Sequence, residues 1–150
     1  MTEPTEARRR NMAAIRGKNT VPEQLLRSAL FAAGLRFRLH VRSLPGSPDL
    51  VFKKFNAVVF VHGCFWHRHI GCRFTAVPKN NAEFWREKFA ANQRRDELCQ
   101  QRLRDQGWRV AVVWECAIRS SPQDIARELT SWLREEGAAT DGIKNFGAAN

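Results

Sequence analysis

Residues 62–72, with the sequence HGCFWHRHIGC, hold the densest group of reactive side chains in the chain. Two cysteines and three histidines fall within these eleven residues, directly after an apolar run. Thiolates and imidazoles are preferred ligands of zinc, and a neutral imidazole is also the commonest general base of enzymes. The segment therefore predicts metal binding, general-base catalysis, or both.

Four side chains could form one closed metal site. The candidate ligands are Cys64, His69, Cys72 and Cys116. Cys116 follows the predicted strand 108–114, and it would reach the same sheet edge as the others if that strand paired in parallel with the strand at 57–61. Three thiolates and one imidazole are typical of structural zinc; the alternative is that the thiols bind no metal. Cys99 lies within a predicted helix, where a small packing residue is expected.

Three further residues could carry catalysis. His67 lies between two candidate ligands, so a closed metal site would hold its ring rigidly, as a general base requires; it could also be a ligand itself. His62 ends the apolar run and could be either catalytic or a core histidine. Asp49 follows a Pro-Gly-Ser-Pro turn beside the strand that ends at His62. A carboxylate there predicts a Mg²⁺ ligand, although Pro-Asp also occurs in ordinary turns.

Charge and aromatic residues point to a nucleic acid. The net charge is +10, from 25 Lys and Arg against 15 acidic residues. This excess predicts a polyanionic partner, and Arg8, Arg9 and Arg10 would contact phosphates. Phe65 and Trp66 are adjacent, so both cannot easily be buried in one regular face. They predict a wedge between DNA bases, or else padding of the metal site.

The elements that position these residues alternate between helix and strand. The pattern predicts a helix at 21–33 with Thr20 as its N-cap, strands at 35–41, 49–52 and 57–61, a helix at 81–106, a strand at 108–114, and a last helix capped by Ser121. In the first strand the apolar residues alternate with Arg36, Arg38, His40 and Arg42, which predicts a basic outer face. The expected fold is α/β, with a mixed central sheet flanked by helices in three layers.

A chain of 150 residues suits one domain. The composition predicts a basic N-terminal arm at 1–20, a domain at 21–137, and a flexible tail at 138–150. We find no apolar run of about 18 residues and no secretory signal, so a cytoplasmic protein is expected. Four cysteines in such a protein are typical of metal ligands or thiols rather than disulfides.

Five ordered motifs resemble the very short patch repair (Vsr) endonuclease family over residues 8–135. They are Asn11-Met12; LPGSPD at 44–49; VHGCFWHRH at 61–69; EFWREK at 83–88 with Asn92 and Asp96; and GWRV at 107–110 with VWEC at 113–116.

The resemblance implies a restriction-endonuclease-like fold of the PD-(D/E)xK type with a structural zinc site. It also implies an activity: nicking 5′ of the thymine in T:G mismatches that arise when 5-methylcytosine deaminates, which initiates very short patch repair. The expected partners are double-stranded DNA with a T:G mismatch, MutL-type repair proteins and, functionally, a companion cytosine methyltransferase. The protein is expected to act as a monomer.

The resemblance also implies a role for each matching residue. Asp49 and the backbone carbonyl of Val61 would bind Mg²⁺, and His67 would be the general base that activates water. His62 would fill the position of a lysine in related nucleases, and Glu23 would order the metal-bound waters. The structural zinc ligands would be Cys64, His69, Cys72 and Cys116. The DNA-intercalating residues would be Met12, Phe65 and Trp66.

Three features differ either from the PD-(D/E)xK pattern of related nucleases or from the common pattern of this family. Phe60 stands where related nucleases have a second acid, as is usual in this family. Val61 replaces a common threonine, and two residues rather than one separate His69 from Cys72. Two other functions stay open: a related metal-dependent nuclease with a different DNA target, and a non-catalytic zinc DNA-binding module. The presence of Asp49 together with His62 and His67 favours the enzyme.

Overall fold

The computed structural model describes residues 20–69, 72, 75, 79–135 and 143–147. Its elements, in chain order, are α1 (Val21–Ala32), β1 (Arg38–Leu39), β2 (Leu50–Phe52), a 3₁₀ turn (Lys53–Phe55), β3 (Ala57–His62), α2 (Cys64–His67), α3 (Ala82–Asp105), β4 (Arg109–Trp114), α4 (Glu115–Ser120), α5 (Pro122–Arg134) and β5 (Ile143–Phe146). Within the described ranges, no helix combines the length and the apolarity needed to cross a bilayer.

The five strands form one mixed sheet in the order β1-β2-β3-β4-β5. The pairs β1/β2 and β2/β3 are antiparallel, whereas β3/β4 and β4/β5 are parallel. The predicted mixed sheet is therefore confirmed, and β3 pairs in parallel with β4, which is the condition on which Cys116 was expected to reach the other candidate ligands. Their register places His62 opposite Trp114, so both strands end at the same edge.

Helices cover both faces of the sheet, which gives the three layers that were predicted. On one face, α1, α4 and α5 bury apolar residues against β2, β3, β4 and β5 around Leu26, Phe52 and Leu129. On the other face, α3 contributes Leu103 to a smaller cluster with Val58 and Val112. Such burial is the main source of stability, at about 25 cal/mol per Å² of apolar surface.

The helix starts follow the predicted caps. The Thr20 hydroxyl accepts a hydrogen bond from the Glu23 backbone N–H at 3.4 Å, and the Ser121 hydroxyl accepts one from the Asp124 N–H at 3.3 Å. A proline follows each cap within the first turn, where its missing N–H removes no helical hydrogen bond. Helix α1 ends one residue earlier than expected, at Ala32.

The predicted strand at 35–41 is wrong for most of its length. Only Arg38 and Leu39 pair with β2, and Leu39 is 42% exposed rather than buried. The reason is local: His40 has a φ of 48°, a left-handed conformation that ends the extended backbone and breaks the alternation of faces.

The predicted flexible tail at 138–150 is also wrong in part. Residues Ile143–Phe146 form β5, which pairs with β4 and buries Phe146 to 4% exposure. Lys144 and Asn145 are exposed at this sheet edge, so the segment has little of the apolar composition that predicts a strand. The short helices α2 and α4 were also missed, because four and six residues are too few to show a helical period.

Candidate active site and metal cluster

Asp49 lies immediately before β2, beside the middle strand of the sheet. Its Oδ2 accepts a hydrogen bond of 2.7 Å from the backbone N–H of Val61 on β3. This contact holds the carboxylate next to the backbone of Val61, the residue whose carbonyl was expected to share the metal. The antiparallel β2/β3 pairing sets this proximity, since Leu50 is opposite Val59.

Two further side chains surround the Asp49 carboxylate. Glu23, on α1, is 6% exposed, and its Oε2 lies 3.3 Å from Nε2 of His40. Nδ1 of His40 lies 3.5 Å from Oδ1 of Asp49. Glu23, His40 and Asp49 therefore form one group of possible metal ligands with mutual distances within 4.8 Å.

This surrounding perturbs the acidity of Asp49. Burial, and then the negative charge of Glu23, raise the pKa of Asp49 from its ordinary value of 3.8 to about 7. The hydrogen bond from Val61 and the charge of Arg27 oppose the increase. Two carboxylates crowded in a partly buried site favour a bound proton or a bound cation, which is the property of a divalent-metal site.

The histidines of β3 and α2 form a second group. The rings of His62 and His67 stack with centroids 3.8 Å apart, and Nδ1 of His67 lies 2.5 Å from Oδ2 of Asp96 on α3. Because a carboxylate only accepts, we assign the proton to Nδ1 of His67, which leaves the lone pair on Nε2. Burial and the neighbouring His67 lower the pKa of His62 well below its ordinary range, so His62 stays neutral.

Glu23 and Asp49 of the first group and the residues of the second group line a cleft of about 750 Å³. The expected catalytic residues that it brings together are Glu23, Asp49, Val61, His62 and His67. Asp96 and the basic residues Lys88, Arg95 and Arg119 also line it. The cleft thus combines carboxylates that could bind a cation, an oriented imidazole and cationic side chains. Hydrolysis of a phosphodiester requires groups of these three kinds.

The four candidate zinc ligands meet on the other side of α2. One ligand atom from each of Cys64, His69, Cys72 and Cys116 lies within 4.8 Å of the others. Nδ1 of His69 is 3.4 Å from Sγ of Cys116 and 3.7 Å from Sγ of Cys64. A one-turn helix with a left-handed residue, Arg68, at its end brings the chain back so that His69 N–H bonds to the Cys64 carbonyl at 3.1 Å.

The acidity of these groups fits a metal. Burial raises the pKa of the Cys64 thiol well above its ordinary range and also raises the pKa of Cys116. Burial lowers the pKa of His69, so its imidazole is neutral, the form that binds metals. A divalent cation would replace the protons of these clustered thiols, so the donor set fits the implied zinc.

The C-terminal strand supports this cluster. The backbone of Gly147, directly after β5, hydrogen-bonds the His69 ring. Gly147 has a φ of +89°, and a Cβ there would lie 2.3 Å from Cβ of Ala117. A backbone partner on one ring nitrogen commonly orients a histidine whose other nitrogen binds a metal, and here Nδ1 faces the thiols.

A series of ring contacts joins the Cys/His cluster to His62. The His69 ring lies parallel to Trp114 with centroids 4.3 Å apart, and Trp114 meets His62 edge-on at 5.2 Å. Glu115 adds a second link, because its Oε1 accepts a hydrogen bond of 3.3 Å from the backbone N–H of Cys64. The cluster therefore holds α2 in the position from which His67 enters the cleft.

The expected DNA wedge is described only in part. The Phe65 ring is half-buried and packs edge-to-face against Trp85 and Phe89 on α3, at 5.8 and 5.2 Å. Of Trp66, the structure describes the backbone, in α2. Met12 and most of the predicted basic arm lie outside the described residues.

Some residues of the site were missed by the motifs or were given no role. Asp96 was noted only as part of a motif, His40 was placed on an outer strand face, and Gly147 fell in the predicted tail. Cys99 packs beside Gly46, as expected for a small packing residue. A Cβ added to Gly46 would lie 2.9 Å from Cβ of Cys99.

Known proteins resemble the chain along most of its length. DNA mismatch endonuclease Vsr of Escherichia coli is 43% identical over 144 residues, which cover 91% of this chain and 92% of that protein. The type II nicking enzyme V.XorIIP of Xanthomonas oryzae pv. oryzae is 50% identical over 113 residues, 75% of this chain and 82% of that protein.

A third relative, the type II nicking enzyme V.NmeAIP of Neisseria meningitidis, is 41% identical over 125 residues, 83% of this chain and 87% of that protein. Residues 3–73 match the family described as DNA mismatch endonuclease Vsr. Similarity at this level over nearly full lengths leaves one assignment: the chain belongs to the Vsr family of DNA mismatch endonucleases.

Proposed function

We propose that the protein is a DNA repair endonuclease that nicks one strand 5′ of the thymine in a T:G mismatch. The observation that carries the proposal is the cleft that Glu23, Asp49, His62 and His67 line together. Relatives named as nicking enzymes and as a mismatch endonuclease support the same activity. A restriction-endonuclease-like fold of the PD-(D/E)xK type is consistent with the mixed sheet and with Asp49 before β2.

His67 would act as the general base. Its Nδ1 is bound to Asp96, so Nε2 offers the lone pair that takes a proton from the attacking water. The Asp96 carboxylate then stabilises the imidazolium that forms, and it keeps the ring from rotating. His62, neutral and stacked on His67, would support the ring rather than compete for the proton.

Asp49 and the backbone carbonyl of Val61 would hold Mg²⁺, with Glu23 ordering the waters around the ion. A bound Mg²⁺ would neutralise charge that develops on the scissile phosphate. Lys88, Arg95 and Arg119 would attract and orient the phosphodiester from the cleft walls. Phe60 stands where a second acid would be, so backbone and phosphate oxygens would complete the coordination.

Cys64, His69, Cys72 and Cys116 would hold a structural zinc ion that orders α2 and hence His67. Met12, Phe65 and Trp66 would enter the base stack beside the mismatch, where weak pairing makes unstacking least costly. Phe65 already stands on an aromatic platform formed by Trp85 and Phe89, which would support a stacked base.

The expected partners are mismatched double-stranded DNA, MutL-type repair proteins and, functionally, a cytosine methyltransferase. We propose a cytoplasmic monomer, since one cleft supplies what a single nick requires.

Duplexes labelled on either strand, with a T:G, T:A or C:G pair at one position in a cytosine-methylation context, test the proposal. The expected result is one product, cut 5′ of the mismatched thymine, from the T:G duplex alone. Cleavage of both strands, or equal cleavage of T:A, would identify a nuclease with another target. Binding without cleavage of any duplex would leave a DNA-binding module.

A further inference from the structure

A third side chain stands between the two carboxylates of the proposed magnesium site. Nε2 of His40 lies 3.3 Å from Oε2 of Glu23, and Nδ1 lies 3.5 Å from Oδ1 of Asp49. The period-two pattern places this histidine among the arginines of an outer face. Its side chain is instead only 12% exposed.

The local backbone accounts for this inward position. Strand β1 ends at Leu39, and His40 takes a φ of 48°, which is uncommon for a residue with a side chain. Its N–H donates to the backbone carbonyl of Asp49 at 3.2 Å. A conformation that costs of order 1 kcal/mol persists only when surrounding contacts hold it.

The three side chains fit around one cation. Each offers a ligand atom, and these atoms lie within 4.8 Å of one another. Ligands at about 2.1 Å from an octahedral ion are separated by about 3 Å when adjacent and about 4.2 Å when opposite. His40 and Asp49 would therefore need only a small closure to bind the same ion, with Glu23 close enough to order its waters.

Burial and donor type indicate which ion. The side chains of Glu23, His40 and Asp49 are 8, 12 and 19% exposed. Mg²⁺ prefers oxygen ligands and gains little from an imidazole nitrogen. Mn²⁺ accepts carboxylates as readily and takes imidazole nitrogen better.

We propose that His40 is a nitrogen ligand of the divalent cation at Asp49, and that it makes the site select Mn²⁺ over Mg²⁺. The inference rests on the proposed function only in placing the cation at Asp49. A competing role is an internal counterion, in which the imidazole occupies the position of the cation. That role makes the opposite prediction, since removal of the ring would then strengthen metal binding.

Mn²⁺ binding to the intact protein without DNA, followed by electron paramagnetic resonance, tests this proposal. We expect the pulsed spectrum of the bound Mn²⁺ to show modulation from an imidazole nitrogen. His40→Gln should remove that modulation and weaken Mn²⁺ binding by about 10-fold or more, while Mg²⁺ affinity, measured by competition, changes much less. Arg38→Gln, at an exposed position two residues away, is the matched control and should bind Mn²⁺ like the parent protein.

The outcomes separate this inference from the function on which it rests. Absence of nitrogen modulation in the parent protein overturns the inference without needing any variant to fold. Equal or tighter Mn²⁺ binding by His40→Gln also overturns it. The cation site itself stands if Asp49→Asn abolishes Mn²⁺ binding, and it fails if Asp49→Asn binds Mn²⁺ normally.

Discussion

The imidazole of His62 lies flat against that of His67, with centroids 3.8 Å apart and planes 7° from parallel. Two imidazolium rings could not share this geometry, because like charges at such a distance repel strongly. Burial and the neighbouring His67 lower the pKa of His62 well below its ordinary range, and Oδ2 of Asp96 lies 2.5 Å from Nδ1 of His67. The contact between His67 and the Asp96 carboxylate fits the proposed role of His67 as the general base.

Asp96→Asn should slow nicking by about 10²- to 10⁴-fold with little change in DNA affinity. An asparagine amide can donate to Nδ1 of His67, which would move the ring proton to Nε2 and remove the basic lone pair. Single-turnover nicking rates check this prediction. Asp105→Asn, an exposed position on the same helix, is the control and should retain the parent rate. A rate within a few-fold of the parent in Asp96→Asn would show that Asp96 does not orient the base.

The raised pKa of Asp49 predicts how stability varies with pH. Its folded-state pKa of about 7 exceeds the ordinary 3.8, so between these values the folded protein holds the proton more tightly than the unfolded chain. Stability without added divalent cation should therefore decrease as pH rises from about 4 to 7, by roughly 1 to 4 kcal/mol from this group. In Asp49→Asn that part of the decrease should disappear.

Urea unfolding of the parent and of Asp49→Asn across this pH range measures the difference, in which other titrating groups largely cancel. Mg²⁺ or Mn²⁺ should stabilise the parent more at pH 7 than at pH 5, because the cation competes with the proton. Parallel stability profiles for the two proteins would contradict the burial argument.

Gly147→Ala should weaken metal binding by the Cys/His cluster, although Gly147 lies far from the candidate ligands in sequence. The added Cβ would meet Cβ of Ala117 at 2.3 Å, so the backbone that bonds to His69 must move. Loss of a partner that orients a metal ligand commonly costs 10- to 100-fold in metal affinity, and we expect about 10-fold faster zinc release to a chromogenic chelator. Gly107→Ala is the control: its φ of +91° imposes similar backbone strain, but no atom lies within 4 Å of the added Cβ. Equal release rates for the two variants would refute the role of Gly147.

Cys116→Ser should reduce the bound metal and lower the free energy of unfolding by several kcal/mol, because one thiolate ligand is lost from a buried site. Cys99→Ser should keep the metal, since Cys99 packs against Gly46 rather than in the cluster. Metal content and thermal unfolding of both variants check this prediction. If Cys116→Ser retained a full equivalent of metal, Cys116 would not be a ligand.

The central strands could be predicted from sequence, and so could the meeting of distant cysteines, on the condition that these strands pair in parallel. Continuous apolar runs identified β3 and β4, and their parallel pairing places the loop after His62 beside Cys116. The caps at Thr20 and Ser121 were equally predictable, because a Ser or Thr directly before a helical pattern is a local signal. Its hydroxyl can accept a hydrogen bond from the backbone N–H three residues later.

His40, Asp96 and β5 could not be predicted in the same way. The inward turn of His40 depends on a left-handed backbone that no periodicity encodes. Asp96 is one of many charged residues on α3, and only the packing of α3 beside α2 selects it as the partner of His67. Strand β5 is a polar edge strand whose pairing depends on β4 already being in place.

We propose that Asp49 binds the cation for a nick made at a T:G mismatch. The most direct test incubates the parent protein and Asp49→Asn with a labelled T:G duplex, with Mg²⁺ or with EDTA, and measures cleavage and binding in parallel. We predict a single Mg²⁺-dependent nick 5′ of the thymine by the parent. For Asp49→Asn we predict a nicking rate reduced by about 10³-fold or more, with DNA binding retained. Undiminished nicking by Asp49→Asn, or nicking by the parent that EDTA does not affect, would contradict it.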